Sequence, residues 1–120
     1  MRETTLWTLH LLAGIVILVF LSVHMGIMHL ESILLALGAG YEHVLTWASV
    51  AARNKQLYFA ISYPILLGAA LYHGFYGLRN VLLELNPSAG LEKAINWILV
   101  ITGVLLFIYG TWAAIAAYAL

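Results

Sequence analysis

The chain has 120 residues, of which 64% are hydrophobic and only 8% are charged, and its formal net charge is zero. Ordinary soluble domains contain about 25% charged residues, so this composition excludes a water-soluble globular protein and predicts an all-α membrane protein. The zero net charge argues against nucleic acid as a partner, and the absence of cysteine excludes disulfides, thiolate-bound metals and an iron–sulfur cluster held by this chain.

Three stretches without charged residues predict three transmembrane helices. Residues 4–30, 56–78 and 94–120 contain no Asp, Glu, Lys or Arg, and each exceeds the ~20 residues that cross a bilayer as a helix. We place the helices at about 6–37, 57–85 and 91–119, in a single membrane-anchor domain of residues 1–120. The first is too long for the apolar core of a cleaved signal peptide, so we expect it to be retained.

The connections between these helices are short. The segment of residues 38–56 begins with Gly38, which breaks the first helix, and we predict a short interfacial helix within it. The second connection is a tight turn in which Pro87 ends one helix and Ser88 caps the next. In the third helix, Gly103 and Gly110 begin a stripe of small residues that favours close helix packing, and we assign this helix no chemistry.

The positive charges beside the helices predict their orientation. Arg2, Arg79 and Lys93 flank one side of the membrane, whereas Arg53 and Lys55 flank the other. The majority of Lys and Arg usually lies in the cytoplasm. We therefore expect a multi-pass protein of a prokaryotic plasma (inner) membrane with its N-terminus in the cytoplasm.

The histidines inside the predicted spans are the first candidates for function. Intramembrane ionisable residues are energetically costly and mark functional sites, and neutral imidazole is the usual axial ligand of b-type haem. With ~1.5 Å of rise per residue, His73 lies roughly 9 Å inside the boundary at Arg79, whereas His24 lies roughly 28 Å from the charged N-terminus. These depths differ by about 20 Å, too far for one iron. Either one of them holds a single haem, or each holds its own haem with a second histidine from another subunit.

Several residues share the face of the second helix that carries His73. Gly77, Asn80 and Glu84 follow it at +4, +7 and +11, and a glycine one turn away leaves room for a flat macrocycle. Arg79 lies beside this face near the head groups. Its side chain could pair with a haem propionate or a phosphate, or extend along the membrane surface without a specific partner.

The other three histidines have different predicted roles. His10 lies within about 40° of the helical face of His24, near the cytoplasmic end, where it could contact a propionate or a quinone. His29 lies roughly 140° from His24 around the helix, so it is a backup ligand or an ordinary interfacial histidine. His43, beside Glu42 in the polar connection, is most simply a surface residue.

Two segments resemble a known family. The sequence from Tyr72 to Asn80 resembles the haem-ligating second helix of succinate dehydrogenase and fumarate reductase membrane subunits. That pattern is a histidine, a small residue at +4, an arginine at +6 and an acid at +11, matched here by His73, Gly77, Arg79 and Glu84. The segment from Phe20 to Met25 is similar to the helix of diheme anchors in which a histidine followed by methionine ligates the outer haem. The resemblance covers residues 7–85.

The resemblance implies a function and a set of partners. It implies that His73 ligates the haem nearer the flavoprotein and iron–sulfur subunits, and that His24 ligates the haem nearer the outer face. The chain would then anchor these subunits in the bilayer and carry electrons between the iron–sulfur subunit and quinone, without being catalytic alone. Single-chain diheme anchors have five helices and supply four ligands. Three helices supply about half, so two b haems shared with a second small membrane subunit are expected.

The quinone site could lie at either side of the membrane. The candidates near the cytoplasmic end are Glu84, Asn80, Tyr76 and His10. An acid near the outer haem serves the quinone in diheme relatives, which makes Glu42 or Glu31 the alternative.

Two other functions would also use intramembrane histidines. A small proton or ion transporter subunit would relay protons through them, but its third helix should carry more polar residues than this one does. A di-haem cytochrome b subunit of another respiratory complex would bind the same cofactor with different soluble partners. Bound haem would distinguish the anchor from a transporter subunit. The identity of the soluble partners would distinguish it from a cytochrome b subunit of another respiratory complex.

Overall fold

The computed structural model describes residues 2–38, 43 and 45–120, and it is helical in all its regular elements there. The helices in chain order are α1 (Glu3–His29), α2 (Glu31–Ala36), α3 (Trp47–Asn54), α4 (Leu57–Leu83) and α5 (Ala89–Ala119). Helices α1, α4 and α5 are long and apolar enough to cross a membrane. Such segments are helical because the hydrocarbon offers no water to the backbone, so each N–H and C=O must bond within its own segment. The prediction of three spans, with a short helix between the first two, is confirmed.

The first predicted helix is divided in the structure. It ends at His29, because Leu30 leaves the helical conformation with φ −110° and ψ 33°, and the six-residue α2 follows. Glu31, the first charge after the span, accepts a hydrogen bond from the backbone N–H of His43 at 2.6 Å. This bond ties α2 to the polar connection. The first membrane-spanning helix is therefore α1 alone, which is shorter than the helix of residues 6–37 that we predicted. The predicted interfacial helix corresponds to α3, whose N-terminus is capped by the Thr46 hydroxyl.

The turn between α4 and α5 contains the predicted Ser88 cap. The Ser88 hydroxyl accepts a hydrogen bond from the N–H of Leu91 at 3.3 Å and caps α5. Asn86 has φ 53°, a left-handed conformation that asparagine adopts more readily than most residues. Helix α4 ends two residues earlier, and α5 begins two residues earlier, than we predicted.

Helix α4 lies at the centre of the fold, with α1 packed on one side and α5 on the other; α3 packs against α4 and α5. Glycines allow α4 and α5 to approach closely. A Cβ atom on Gly103 would lie 3.2 Å from the Phe75 ring, and one on Gly68 would lie 3.1 Å from the Phe107 ring. The small-residue stripe of the third predicted helix is therefore a packing surface, as in many membrane helix pairs.

The closest of these approaches gives a test of the packing. A Cβ atom on Gly110 would overlap the side chain of Leu67, whereas one on Gly90, in the same helix, would meet nothing within 4 Å. We expect Gly110→Val to destabilise the protein by about 1–3 kcal/mol, the usual cost of overpacking, and Gly90→Val to have a much smaller effect. Thermal unfolding of the two purified variants would measure this difference. Equal melting temperatures would contradict the α4–α5 packing.

Candidate functional site

The site is built around two histidines on facing helices. His10 of α1 and His73 of α4 stack with their ring centroids 4.0 Å apart and their planes 5° from parallel. The Nδ1 atom of His73 lies 3.0 Å from the backbone carbonyl oxygen of His10. Because a carbonyl oxygen can only accept, Nδ1 carries the proton and donates it. The Nε2 atom of neutral His73 is then unprotonated, which is the tautomer that binds a metal.

Two glycines make room for this pair. A Cβ atom on Gly14 would lie 3.2 Å from Cε1 of His73, and one on Gly77 would lie 3.3 Å from Cε1 of His10. The sequence predicted that Gly77 leaves room for a macrocycle. In the structure the imidazole of His10 is the group that lies against it. Sequence reasoning missed this pairing, because His10 was placed near the site but not in contact with His73.

Gly14 allows the position of the His73 ring to be tested. Gly14→Val would push two methyl groups toward that ring, whereas a Cβ atom on Gly26, in the same helix, meets nothing within 4 Å. We expect Gly14→Val to displace the imidazole by several tenths of an ångström or more and to alter the spectrum of any group bound to Nε2. Gly26→Val should leave that spectrum unchanged. An optical spectrum of each purified variant measures the effect, and identical spectra would contradict the contact.

A polar cluster lies one turn beyond the histidine pair. The Tyr76 hydroxyl, whose residue is only 6% exposed, donates to the Glu3 carboxylate at 3.0 Å. Arg79 donates through Nε to the Asn96 side-chain oxygen at 2.6 Å and lies 3.9 Å from Glu3. The short charge-assisted bond to Asn96 holds the guanidinium more firmly than the looser, exposed ion pair does. Glu3 and Asn96 were not predicted, although a lone asparagine at the start of an apolar run is a visible signal.

The predicted quinone residues differ in burial and in hydrogen bonding. Tyr76 is buried and bonded to Glu3. Asn80 accepts a hydrogen bond from Arg79 at 3.2 Å, and its buried amide nitrogen has no hydrogen-bond partner within the described part of the chain. Glu84 is exposed at the end of α4, and Glu42 lies outside the described residues. Of the described candidates, Tyr76 also lies against His10, with ring centroids 5.4 Å apart, and Asn80 and Glu84 follow Tyr76 along α4.

A cleft of about 640 Å³ lies between α4 and α5, and Leu6 of α1 also lines it. Its polar end is formed by Arg79 and Asn96, and its far end by Gly68 and Phe107. Apolar side chains and one glycine line its walls, namely Leu71, Phe75, Leu99, Val100, Gly103 and Val104. His73 is not among the lining residues, but Tyr76 lines the cleft and its ring centroid lies 5.4 Å from that of His10.

A second histidine site lies toward the other end of α1. The half-buried His24 packs edge-on against Tyr63 of α4, with ring centroids 6.0 Å apart. Arg53 of α3 is only 7% exposed, donates to the Met28 sulfur at 3.3 Å and interacts electrostatically with Tyr63. We had counted Arg53 only as a flanking charge. The adjoining void of about 20 Å³ has room for a water molecule but not for a macrocycle.

The two histidine sites lie at different levels. His10 and His24 both contact α4, as their spacing predicts, and are fourteen residues apart along α1, or about 21 Å. His29 is exposed in the last turn of α1, and His43 is exposed in the connection. Among residues 2–38, 43 and 45–120, no three His, Cys, Asp or Glu side chains form a metal-binding group. A haem needs only axial ligands from the protein, and His73 with its proton on Nδ1 fits that requirement.

Comparison with known proteins places this arrangement in a family. The family described as "Succinate dehydrogenase/Fumarate reductase transmembrane subunit" matches residues 2–97. A curated relative from Archaeoglobus fulgidus, the "Succinate dehydrogenase hydrophobic membrane anchor subunit", is 26% identical over 110 residues, which cover 92% of this chain and 86% of the relative. No solved structure matches. With four-fifths of its length matched, the chain belongs to the family of succinate dehydrogenase and fumarate reductase transmembrane subunits.

Proposed function

We propose that this chain anchors the soluble subunits of its complex to the bilayer and holds haem b through His73. The observation that carries the proposal is the hydrogen bond from His73 Nδ1 to the His10 carbonyl, because it leaves Nε2 as an electron-pair donor. When bound, the haem would transfer single electrons between the iron–sulfur subunit and quinone. The stacked ring of His10 covers one face of the His73 imidazole and limits its rotation.

A second haem on His24 completes the proposal. The two histidines lie at levels about 21 Å apart, so each iron needs a further ligand from elsewhere. A second small membrane subunit would supply these ligands, giving two shared haems across the bilayer. The void beside His24 is too small for a macrocycle, so that haem would lie outside the contact between His24 and Tyr63.

Quinone is the proposed membrane electron carrier. At the end with His73, the unpaired amide nitrogen of Asn80 is a hydrogen-bond donor suited to a quinone carbonyl, with Tyr76 and Glu84 nearby along α4. Glu42 is the candidate at the other end. We propose that the end with Arg2, Arg79 and Lys93 faces the cytoplasm of a prokaryotic cell, where the soluble subunits dock.

The proposal is tested by purifying the complex through a tag on this chain. We expect a flavoprotein, an iron–sulfur subunit and a second small membrane subunit to co-purify, together with a reducible b-type spectrum. Recovery of haem with different soluble partners would identify another cytochrome b complex. A colourless preparation would favour a proton transporter and contradict haem binding.

A further inference from the structure

Arg53 is a charged residue that lies inside the fold rather than at its surface. It is only 7% exposed, which makes it the most buried of the charged residues that the structure describes. Burying a guanidinium is energetically costly unless its donors are hydrogen-bonded. In a membrane protein, a buried charge of this kind points to a role beyond that of flanking the bilayer.

The guanidinium of Arg53 contacts both helices that meet at His24. Its Nη2 atom donates to the sulfur of Met28 at 3.3 Å, and Met28 lies one turn after His24 on the same face of α1. The guanidinium also donates to the hydroxyl of Tyr63 on α4. The ring of Tyr63 packs edge-on against His24, with ring centroids 6.0 Å apart. Arg53 therefore joins α3 to one neighbour of His24 on each of the two helices.

The geometry of these contacts favours a role in fixing position. A guanidinium is a rigid planar fork of donors, so it can orient two acceptors at once. The thioether of Met28 is a weak acceptor, so the contact with Tyr63 is the one that matters more. The void beside the rings of His24 and Tyr63 is only about 20 Å³, which leaves the Tyr63 ring little room to move. A change at Arg53 is therefore expected to reach His24 through Tyr63.

We propose that Arg53 is a positioning residue for the His24 site, where it holds the Tyr63 ring edge-on against His24 and so fixes the orientation of that imidazole. Partners that orient a ligand are known to tune the bound metal almost as strongly as the ligand itself. The inference rests on the proposed haem at His24 for its spectroscopic test, whereas the contacts among Arg53, Tyr63 and His24 do not depend on haem.

The spectroscopic test replaces Arg53 in the assembled complex. We expect Arg53→Gln to lower haem retention at the His24 site about tenfold, and to alter the electron paramagnetic resonance signal of the haem that remains, while the component that depends on His73 is unchanged. Arg53→Lys should restore the signal only in part, because a lysine lacks the planar fork. The matched control is Lys55→Gln, which removes an exposed charge from the same connection and should change nothing.

A double-variant cycle tests whether Arg53 acts through Tyr63. Tyr63→Phe keeps the ring and removes only the hydroxyl that Arg53 contacts. If Arg53 acts through that hydroxyl, the double variant should lose no more haem from the His24 site than Arg53→Gln alone. Additive losses would overturn the route through Tyr63. If Arg53→Gln fails to assemble, Tyr63→Phe carries the spectroscopic test by itself.

A measurement without haem separates this inference from the proposed function. Diethyl pyrocarbonate modifies accessible imidazoles, and mass spectrometry of peptides reports its rate at each histidine. We expect Arg53→Gln to raise the rate at His24 severalfold, while the exposed His29 reacts equally in all variants. A higher rate at His24, in a complex whose spectrum does not change in His24→Ala, would support positioning by Arg53 and contradict the second haem. An unchanged rate together with an unchanged spectrum in Arg53→Gln would overturn the positioning role.

Discussion

Replacing His73 with alanine is expected to remove one haem b from the complex. His73 is the histidine that α4 offers, and the methyl group of alanine cannot coordinate iron. We expect about half of the b-type absorbance to disappear if two haems are present, and electron transfer from succinate to quinone to fall steeply. The reduced-minus-oxidised spectrum of the assembled complex measures the first effect. A quinone-linked dye assay measures the second.

The matched control for this variant is His29→Ala. His29 is an exposed histidine at the end of α1, far along the helix from the His10–His73 pair. Its removal should leave the spectrum unchanged. Added imidazole should restore part of the lost absorbance in the His73→Ala complex, since it can occupy the vacated position. A His73→Ala complex with its full b-type spectrum would contradict the ligand assignment.

Replacing His24 with alanine is expected to remove a different spectral component. The two histidines occupy levels about 21 Å apart, so their irons would be separate and would titrate at separate potentials. Each single variant should keep the component that the other one loses, and the double variant should lose both. Redox titration of the three complexes measures this pattern.

Two results would contradict the proposal of two separate haems. If His24→Ala and His73→Ala removed the same component, one haem would depend on both residues, which the distance of about 21 Å between their levels in the membrane does not allow directly. If His24→Ala changed nothing, the protein would hold haem through His73 alone. In that case the contacts of His24 with Tyr63 would serve helix packing.

The spans could be predicted from the sequence because a bilayer imposes a strong, one-dimensional constraint. Charges are excluded over a fixed length, and the position of Ser88 after Pro87 shows where α5 begins. The break at Leu30 could not be predicted in the same way. No glycine or proline stands there, and the break accompanies the bond between Glu31 and His43, which depends on the tertiary course of the connection.

The candidate site could be predicted only in part, for a related reason. Periodicity shows which residues share a face of one helix, and it placed His10 and His24 on the same side of α1. It does not show which residue of α4 stands opposite, so the stacking of His10 on His73 was missed. The burial of Arg53 was missed similarly, because it depends on how α3 folds back onto α4.

Haem binding by this chain is tested most directly by the ratio of haem b to flavin in the intact complex and by the reduction of that haem with succinate. We expect stoichiometric haem that succinate reduces and quinone reoxidises, and that is diminished when His73 is replaced. A complex that contains its soluble and membrane subunits in full, reduces quinone with succinate and holds no haem would contradict it.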